Sequence, residues 1–394
     1  MTPAARAEAA IELLDAIIAA AREGGAAADT LIARYFRTRR YAGSKDRRAV
    51  RDLVFRAIRR AGERPVSGRA ALLGLAEDAP ELRALFDGSA HGPAPLEVDE
   101  PVATAGIASL WLLERFDPAL QREELGALLD RAPLDLRVNR LKGTRAEAVA
   151  AFPEARETPH APLGLRLPEG AQVEQSEVWT SGLVEVQDEG SQLLALGCSA
   201  RPGATIVDLC AGAGGKTLAL AADMTDQGRI VASDTDRARL ARMAPRLDRA
   251  GVSIIEARLL DPNREAEALA DLAGASDLVL VDAPCSGTGT WRRNPEARWR
   301  LTPERLARFV KLQSHLLDVA VELVAPDGHL VYAVCSLLGE EGREQAAAFE
   351  ARHSAFVRET VPITAGTAAG PGRLLSPARD GTDGFFIARW RRAC

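Results

Sequence analysis

The chain has 394 residues, of which 47% are hydrophobic and 5% aromatic, and its formal net charge is −5. This length exceeds that of one ordinary domain and predicts two or three, while the apolar stretches fall short of the ~18 residues of a membrane span. Five cysteines, an odd number without Cys-x-x-Cys spacing, argue against both a disulfide framework and a zinc site. The composition therefore predicts a cytoplasmic protein with no membrane and no metal among its partners.

Positive charge is concentrated in two segments, although the chain as a whole is acidic. Residues 34–69 contain 13 Lys and Arg against 3 Asp and Glu, and residues 292–311 contain 7 against 2. Such segregation favours a nucleic-acid partner, because a basic face can bind phosphates. The alternative is that these residues form solvated helix faces in an arginine-rich protein.

The N-terminal part of the chain has the pattern of helices. Apolar residues recur at helical spacing within 5–63, and Ala/Leu-rich helices continue to about residue 100. After a Gly/Pro-rich stretch, short strands alternate with helices up to Gly197. We therefore predict an all-α, basic domain at 1–90, a linker at 91–108 and a small α+β unit at 109–200.

From residue 201 to residue 394 the pattern becomes a regular alternation of strand and helix. The predicted strands are 205–210, 229–233, 252–256, 277–281, 329–334 and 385–390, and the predicted helices are 216–224, 237–250 and 303–323. This alternation predicts an α/β fold with a doubly wound, mostly parallel sheet. Ligands bind such sheets at the carboxyl ends of the strands.

A glycine-rich turn, Asp208-Leu-Cys-Ala-Gly-Ala-Gly-Gly-Lys-Thr217, joins the first of these strands to the first helix. Small residues let the backbone approach a ligand, and the helix N-terminus offers free N–H groups. A P-loop needs Gly where Cys210 or Ala211 stands, and the nicotinamide fingerprint needs Gly or Ala where Thr217 stands. The remaining interpretation is S-adenosyl-L-methionine, whose binding turn is less constrained. The predicted cofactor-binding residues of the turn are Cys210, Ala211, Gly212, Ala213, Gly214, Gly215 and Lys216.

Three acidic residues, Asp234, Asp261 and Asp282, follow the second, third and fourth strands. A carboxylate after the second strand can accept both ribose hydroxyls, and one after the third can bind the adenine amino group. For Asp234 and Asp261 the alternative is capping of the helices that follow, a common role of Asp. The turn and the three acids together support the S-adenosyl-L-methionine interpretation better than the turn alone.

Two cysteines stand where predicted strands meet their loops: Cys285 in Asp-Ala-Pro-Cys-Ser-Gly and Cys335 in Tyr-Ala-Val-Cys-Ser. Carbon 5 of cytosine is a poor nucleophile, and a thiolate added at carbon 6 activates it toward a methylsulfonium. A second group must then assist loss of the carbon 5 proton and of the thiol. For either thiol alone the alternative is core packing, since free Cys is often buried, but the Pro-Cys-Ser-Gly loop is poor core material.

The segment from about Leu110 to Trp390 resembles the Sun (Nop/Nol/Sun) family of RNA cytosine-5 methyltransferases. The motifs that carry the resemblance are Val184–Gln192, Asp208–Thr217, Asp282–Gly289 with Arg292–Pro295, Tyr332–Ser336 and Asp380–Phe386. The resemblance implies a class I, Rossmann-like core that depends on S-adenosyl-L-methionine. It also implies Cys335 as the nucleophile and Cys285 as the partner that assists product release. Asp282 would lie beside the reacting base and the methionine end of the cofactor, and Lys216 would contribute to the cofactor pocket.

Two positions depart from the usual motifs of this family. Gly212 and Ala213 stand where Ala-Pro is usual, and loss of the proline frees the turn. Val334 stands where Thr usually precedes the nucleophile, so a hydroxyl that could orient a neighbour is absent. Both catalytic cysteines are retained.

Residues 43–55 resemble part of the NusB-like helical domain that precedes the core in some bacterial members of the family. The resemblance implies contacts with the backbone of structured RNA that position it without reading bases. Ribosomal RNA is accordingly predicted as the substrate ahead of transfer RNA. The alternatives are an RNA-binding ribosome-assembly factor with a non-catalytic methyltransferase fold, and a methyltransferase of small molecules or proteins that would need neither thiol.

Overall fold

The computed structural model describes all 394 residues, and the chain forms two compact units. The first comprises residues 1–116, 125–130 and 290–303, and the second comprises 117–124, 131–289 and 304–394. The helices are α1 (Pro3–Glu23), α2 (Ala28–Thr38), α3 (Ser44–Arg60), α4 (Gly68–Asp78), α5 (Leu110–Leu113), α6 (Arg145–Ala151), α7 (Glu177–Thr180), α8 (Glu189–Cys198), α9 (Gly215–Asp223), α10 (Arg237–Ala241), α11 (Ala244–Ala250), α12 (Glu265–Ala268), α13 (Pro303–Leu323), α14 (Arg343–Arg352) and α15 (Pro377–Asp380). The strands are β1 (Leu134–Val138), β2 (Arg156–Glu157), β3 (Gly164–Leu167), β4 (Val184–Val186), β5 (Thr205–Asp208), β6 (Arg229–Asp234), β7 (Ile255–Leu259), β8 (Ser276–Asp282), β9 (Val324–Val334), β10 (Phe356–Glu359), β11 (Thr367–Ala369), β12 (Gly372–Leu375) and β13 (Phe385–Arg392). None of these helices combines the length and apolar character needed to cross a bilayer.

The first unit is built on α1 to α4, which bury an apolar core. α1 begins where the Thr2 hydroxyl accepts a hydrogen bond from the Ala5 N–H (3.1 Å). It ends at Gly24, whose φ of +75° is one that an L side chain rarely adopts. The predicted helical stretch 5–63 is therefore divided into three helices, and their shared core contains Leu14 and Ile17.

Residues 290–303 pack within this helical unit, whereas the sequence prediction placed them in the catalytic domain. Trp299 lies in the apolar core of the unit, and the buried Trp291 ring lies edge-on to Phe116 with 5.8 Å between ring centroids. The predicted linker 91–108 also belongs to this unit. The four-part division of the chain stays a prediction about folding units, while the contacts divide the chain in two.

Arg298 shows that the second basic segment, 292–311, is partly internal. Its buried guanidinium donates hydrogen bonds to the carbonyls of Ile58 (2.6 Å) and Ala61 (2.8 Å). α3 ends here, and the last carbonyls of a helix have no partner within the helix. The charge of Arg298 therefore stabilises a helix terminus and is not available to a nucleic acid.

The second unit contains a small sheet and a large one. The small sheet has the order β2-β3-β1-β4 with antiparallel pairs, and its buried side chains include Leu136 and Leu165. The large sheet has the order β11-β12-β13-β9-β8-β5-β6-β7, and β10 pairs with β13. The pairs from β7 to β9 are parallel, and β13 is antiparallel to β9. The predicted doubly wound, mostly parallel sheet is confirmed, and the chain reverses its order between β5 and β8, the position where such sheets bind ligands.

Two predicted elements of this sheet were placed wrongly. The helix predicted over 237–250 is two helices, α10 and α11, because Pro245 cannot continue a helix but suits the first turn of a new one. The third strand, predicted at 252–256, is found at Ile255–Leu259. The Asp226 carboxylate accepts hydrogen bonds from the N–H groups of Ser253 (2.9 Å) and Ile254 (3.3 Å), which holds this segment in a connection before the strand.

Candidate active site

The register of two neighbouring strands brings together the two cysteines that were predicted to be catalytic. β8 pairs in parallel with β9, and Asp282 lies opposite Ala333. Cys285 follows Asp282 by three residues and Cys335 follows Ala333 by two, so both leave the same edge of the sheet. Their Sγ atoms are 3.3 Å apart, which is hydrogen-bond distance for sulfur.

The surroundings of Cys285 favour its protonated form. Its hydrogen bond with Cys335 raises the pKa of Cys285 well above the ordinary value, and burial and the charge of Glu341 act in the same direction. Cys198 is a different case, because it is fully buried and donates a hydrogen bond to the Leu194 carbonyl (3.4 Å) as a core cysteine does. The paired thiols are only half-buried and lie at a ligand-binding edge.

Lys216 connects the glycine-rich turn to the thiols. Its Nζ donates a hydrogen bond to Asp282 Oδ2 at 2.7 Å. Burial alone would lower the pKa of Lys216, but the charges of Asp282 and Cys335 outweigh burial and the pKa is raised. A cation near a cysteine is typical of reactive cysteine sites. The surroundings of the two thiols therefore differ: the charge of Cys335 acts on Lys216, whereas Cys285 is kept protonated first by its hydrogen bond to Cys335.

The glycine-rich turn presents its backbone on one side and packs on the other. Gly212 and Gly214 have φ of +58° and +81°, and the Gly214 N–H donates to the Ala211 carbonyl (2.9 Å) to close the turn. A Cβ on Gly214 would meet Met243 at 2.7 Å, whereas a Cβ on Gly212 would meet no atom within 4 Å. The open side at Gly212 and the start of α9 at Gly215 fit a cofactor such as S-adenosyl-L-methionine, which needs close backbone approach.

Asp234 braces this turn. Its Oδ2 accepts a hydrogen bond from the Gly212 N–H (2.8 Å), and its Oδ1 accepts one from the Asp236 N–H (2.7 Å). The N-cap of α10 is Asp236, whose carboxylate accepts from Ala238 and Arg239. Asp234 is therefore not the cap of α10, and its oxygens keep lone pairs that ribose hydroxyls could use.

Asp261 lies two residues beyond β7 and is exposed. The preceding Leu260 N–H donates to the Asp234 carbonyl (3.0 Å), which keeps Asp261 at the same edge of the sheet. The N-cap of α12 is Arg264, so capping does not account for Asp261. Its role at the adenine stays a prediction.

The family profile described as 16S rRNA methyltransferase RsmB/F matches residues 195–391. The chain is 35% identical over 298 residues to the probable ribosomal RNA small subunit methyltransferase B of Synechocystis, a match that covers 72% of this chain and 66% of that protein. It is 34% identical over 286 residues to the ribosomal RNA small subunit methyltransferase B of Erwinia tasmaniensis, with 71% and 65% covered. This chain belongs to the RsmB/F family of 16S rRNA methyltransferases. The match spans just under two thirds of the length of these curated relatives.

Two solved structures have the same fold as this chain. The crystal structure of the protein PH0851 covers 100% of this chain, with 99% of its own length covered, at 23% identity and a TM-score of 0.79. That of NSun6 from Pyrococcus horikoshii with SFG covers 73% of this chain and 98% of its own length, at 20% identity and a TM-score of 0.65. The predicted class I core is thereby confirmed. Family membership also confirms the resemblance to the Sun family and S-adenosyl-L-methionine as its cofactor.

The NusB-like resemblance of residues 43–55 lies outside the residues that the RsmB/F profile matches, and it stays a prediction. The described helices α1 to α4 are compatible with an all-α domain.

Asp208 is a residue of the RsmB/F site to which the sequence analysis assigned no role. It is buried at the end of β5, where the Thr217 hydroxyl donates to its Oδ2 (2.7 Å) and its Oδ1 has no hydrogen-bond partner. Burial raises the pKa of Asp208 to about 7, and the charges of Asp282 and Asp234 add to this effect. The available signal was an acid at the end of an otherwise apolar strand.

The sequence analysis also assigned no role to Glu341, because an acid in the loop Gly-Glu-Glu-Gly is expected to be exposed to solvent. It is fully buried, and its Oε1 accepts hydrogen bonds from the Ser286 N–H (2.9 Å) and Gln313 Nε2 (2.9 Å). Its Oε2 accepts from the hydroxyls of Ser286 and Ser336, the latter at 2.5 Å. No local pattern could indicate these partners, which lie up to 55 residues away in sequence.

Arg246 supports the turn where the family's usual proline is missing. Its guanidinium donates to the Ala213 carbonyl (2.6 Å) and to Glu185 Oε2 on β4 (3.0 Å). Glu185 is buried, so it holds the arginine in one position. A charged donor with a fixed orientation thus restrains the turn that loss of proline was expected to free.

Proposed function

We propose that this protein uses S-adenosyl-L-methionine to form 5-methylcytosine in RNA, with ribosomal RNA ahead of transfer RNA as its substrate. The observation that carries the proposal is the 3.3 Å separation of the Cys285 and Cys335 sulfurs beside the Lys216–Asp282 ion pair. A methyltransferase of small molecules or proteins has no need of two thiols at one point. Methyl transfer to carbon 5 of a pyrimidine needs a thiolate at carbon 6 and a second group for the carbon 5 proton, a role that a second thiol can fill.

Asp282 supports cytosine as the base. One of its oxygens accepts the Lys216 hydrogen bond, and the other has no partner in the structure. That oxygen can accept a hydrogen bond from the amino group on carbon 4 of cytosine. Uracil has a carbonyl at this position, which a carboxylate repels.

Cys335 is the nucleophile in the proposed reaction. Its thiolate, whose charge acts on Lys216, adds to carbon 6 of cytosine and forms a carbon–sulfur bond. S-adenosyl-L-methionine, when bound, supplies the methyl group on a sulfonium centre. The addition makes carbon 5 electron-rich enough to take that methyl group, so the thiol converts an unreactive ring into a reactive one.

Cys285 completes the reaction. Its pKa is raised first by the hydrogen bond to Cys335, and bonding of Cys335 to carbon 6 removes that acceptor and its charge. Cys285 can then release its own proton to solvent and take the proton from carbon 5. The electrons of the carbon–hydrogen bond restore the ring double bond and expel Cys335 as thiolate. The net products are the methylated base, the demethylated cofactor and one proton.

The helical unit offers a surface for RNA backbone. Basic side chains of α2, α3 and their connection are exposed and make no ion pair: Arg34, Arg37, Arg40, Lys45 and Arg48. Such side chains bind phosphates without reading sequence. The printed names of the curated relatives specify the small ribosomal subunit, which supports ribosomal RNA for this chain.

The proposal is tested by replacing each thiol. We expect Cys335→Ala to abolish methylation of small-subunit RNA, because the variant lacks the nucleophile that adds to carbon 6. Cys285→Ala should still form the carbon–sulfur bond and accumulate a protein–RNA adduct that survives denaturing electrophoresis. Incorporation of labelled methyl groups and the adduct band are the measurements, with Cys198→Ala as the matched control for loss of a thiol. Methylation of cytosine by Cys335→Ala would overturn the assignment.

Cofactor binding separates an enzyme from an assembly factor. Calorimetry with S-adenosyl-L-methionine should give saturable binding to the wild-type protein, because Asp234 and Arg246 hold the turn in place. Absence of binding would favour an RNA-binding protein with a non-catalytic methyltransferase fold.

A further inference from the structure

We propose that Glu341 is the positioning residue that holds the Cys285 loop and the Cys335 loop together, so that the two sulfurs stay within hydrogen-bond distance. The proposal rests on the proposed function, since it concerns the same site. It adds a residue that touches neither substrate nor cofactor. Glu341 acts through the two thiols and is not itself a catalytic residue.

Three of the four hydrogen bonds to the Glu341 carboxylate come from the serines that follow the two cysteines. The fourth comes from Gln313, which also binds the Cys285 loop. Ser286 directly follows Cys285, and Ser336 directly follows Cys335. Gln313 Nε2 donates both to Glu341 and to the carbonyl of Pro284, the residue before Cys285 (2.9 Å each). One carboxylate therefore anchors the Cys285 loop on both sides of the cysteine and the Cys335 loop on one side.

A second layer of bonds joins the two loops directly. The Ser286 and Ser336 hydroxyls are 3.1 Å apart, and the Thr288 hydroxyl lies 3.2 Å from that of Ser336. The Gly289 N–H donates to the Cys335 carbonyl (3.1 Å). The Glu341 carboxylate accepts from two of these hydroxyls, those of Ser286 and Ser336.

The burial of Glu341 makes its hydrogen bonds difficult to replace. Glu341 is fully buried, and an ionised carboxylate is costly in such a place unless it is fully hydrogen-bonded. Removing it would leave four donors without their acceptor inside the protein, so the loops would move to find other partners. A displacement of about 1 Å between reacting groups can reduce a rate by about 100-fold.

Glu341 also acts on Cys285 through its charge. That charge raises the pKa of Cys285, after the hydrogen bond to Cys335, burial and the charge of Cys335. The carboxylate therefore helps to keep the release partner protonated.

The experiment measures thiol geometry without RNA or cofactor. Phenylarsine oxide forms two arsenic–sulfur bonds with two adjacent thiols and releases water. We expect wild-type protein to be bridged between Cys285 and Cys335, as peptide mapping by mass spectrometry would detect, and Glu341→Ala to lose at least about 90% of this bridge. Glu350→Gln is the matched control, because Glu350 accepts hydrogen bonds from Arg358 and Trp390 in the same unit. Wild-type bridging in folded Glu341→Ala would overturn the proposal.

Glu341→Gln tests the charge and keeps the proposal falsifiable if the alanine variant does not fold. An amide can still accept from Ser286 and Gln313, and the serine hydroxyls can rotate to accept from its NH₂ group. We expect the bridge to form in Glu341→Gln, with alkylation of Cys285 by iodoacetamide shifted to lower pH. An unchanged pH profile of Cys285 alkylation would count against the proposal.

The two proposals fail in different ways. In RNA that contains 5-fluorocytosine, which blocks the release step, we expect adduct formation by folded Glu341→Ala to be about 100-fold slower than by wild type. If wild type forms no adduct while the arsenical results hold, the proposed function fails and the positioning role of Glu341 stands. If wild type forms adduct and both Glu341 variants match it, the positioning role fails.

Discussion

Two buried carboxyl groups lie under the two halves of the site, and their hydrogen bonds differ. Glu341, under the thiols, accepts four hydrogen bonds. Asp208, under the glycine-rich turn, accepts one, and its second oxygen has no partner. Four donors suit the acceptor capacity of a carboxylate, whereas a buried carboxyl group with one donor is stabilised by carrying a proton. The number of donors thus separates a buried acid that anchors two loops from one whose pKa is raised.

Asp208→Asn should give the largest effect, on the pH dependence of stability. The pKa of Asp208 is raised from 3.8 to about 7 in the folded protein, so the folded state keeps a proton that the unfolded state has lost. The stability that this group contributes is full below about pH 4 and is lost as the pH rises to about 7. Asparagine is neutral throughout, so the variant should gain as much as about 4 kcal/mol relative to wild type between pH 4 and pH 8.

Urea unfolding at several pH values measures this difference. Asp236→Asn is a suitable control, because Asn caps a helix as well as Asp does. If the difference in unfolding free energy between wild type and Asp208→Asn does not change with pH, Asp208 is not the titrating group.

Lys216→Met should have a smaller effect, which is on the rate of adduct formation. The change leaves Asp282 without its ion pair and removes a cation that interacts with Cys335. We expect adduct formation with 5-fluorocytosine RNA to slow by about 100-fold, as for loss of one electrostatic contact in a transition state. Lys142→Met, at an exposed lysine, is the control. An unchanged rate of adduct formation by Lys216→Met would contradict this account.

Asp234→Ala should have the smallest effect, confined to the turn. The variant loses the brace on the Gly212 N–H and the proposed acceptor of the ribose hydroxyls. We expect the dissociation constant for S-adenosyl-L-methionine to rise about 30-fold, the equivalent of about 2 kcal/mol. Asp236→Ala, which loses only the cap of α10, should bind the cofactor like wild type. Equal binding by all three proteins would remove Asp234 from the cofactor site.

The sheet and the meeting of the thiols were predictable because both depend on local patterns. Apolar runs of strand length predicted β5 and β8 to within two residues and the end of β9, although β9 begins five residues earlier than predicted. Parallel pairing of β8 with β9 then requires Cys285 and Cys335 to share an edge. The position of β7 was not predictable in this way. It depends on the Asp226 side chain, which binds the backbone of Ser253 from a different loop.

Charge counts and residue types did not reveal which polar groups are buried. Arg298 belongs to a segment whose many basic residues suggested nucleic-acid binding. Its guanidinium instead donates hydrogen bonds to the carbonyls at the end of α3. Glu341 stands in a polar loop, and its partners come from elements far away in sequence. Burial of such groups is decided by tertiary contacts, so no periodicity in the sequence reports it.

The chain passes between its two units five times, at 116/117, 124/125, 130/131, 289/290 and 303/304. A module joined by a single peptide bond can be gained or lost in evolution by gene fusion, without changes elsewhere. The helical unit does not have that freedom, because Trp299 and Arg298, encoded deep within the catalytic half of the gene, complete its core and cap its third helix. A relative that dispenses with these N-terminal helices must therefore also rewrite the residues that follow its Pro-Cys-Ser-Gly loop, and the two changes should be inherited together.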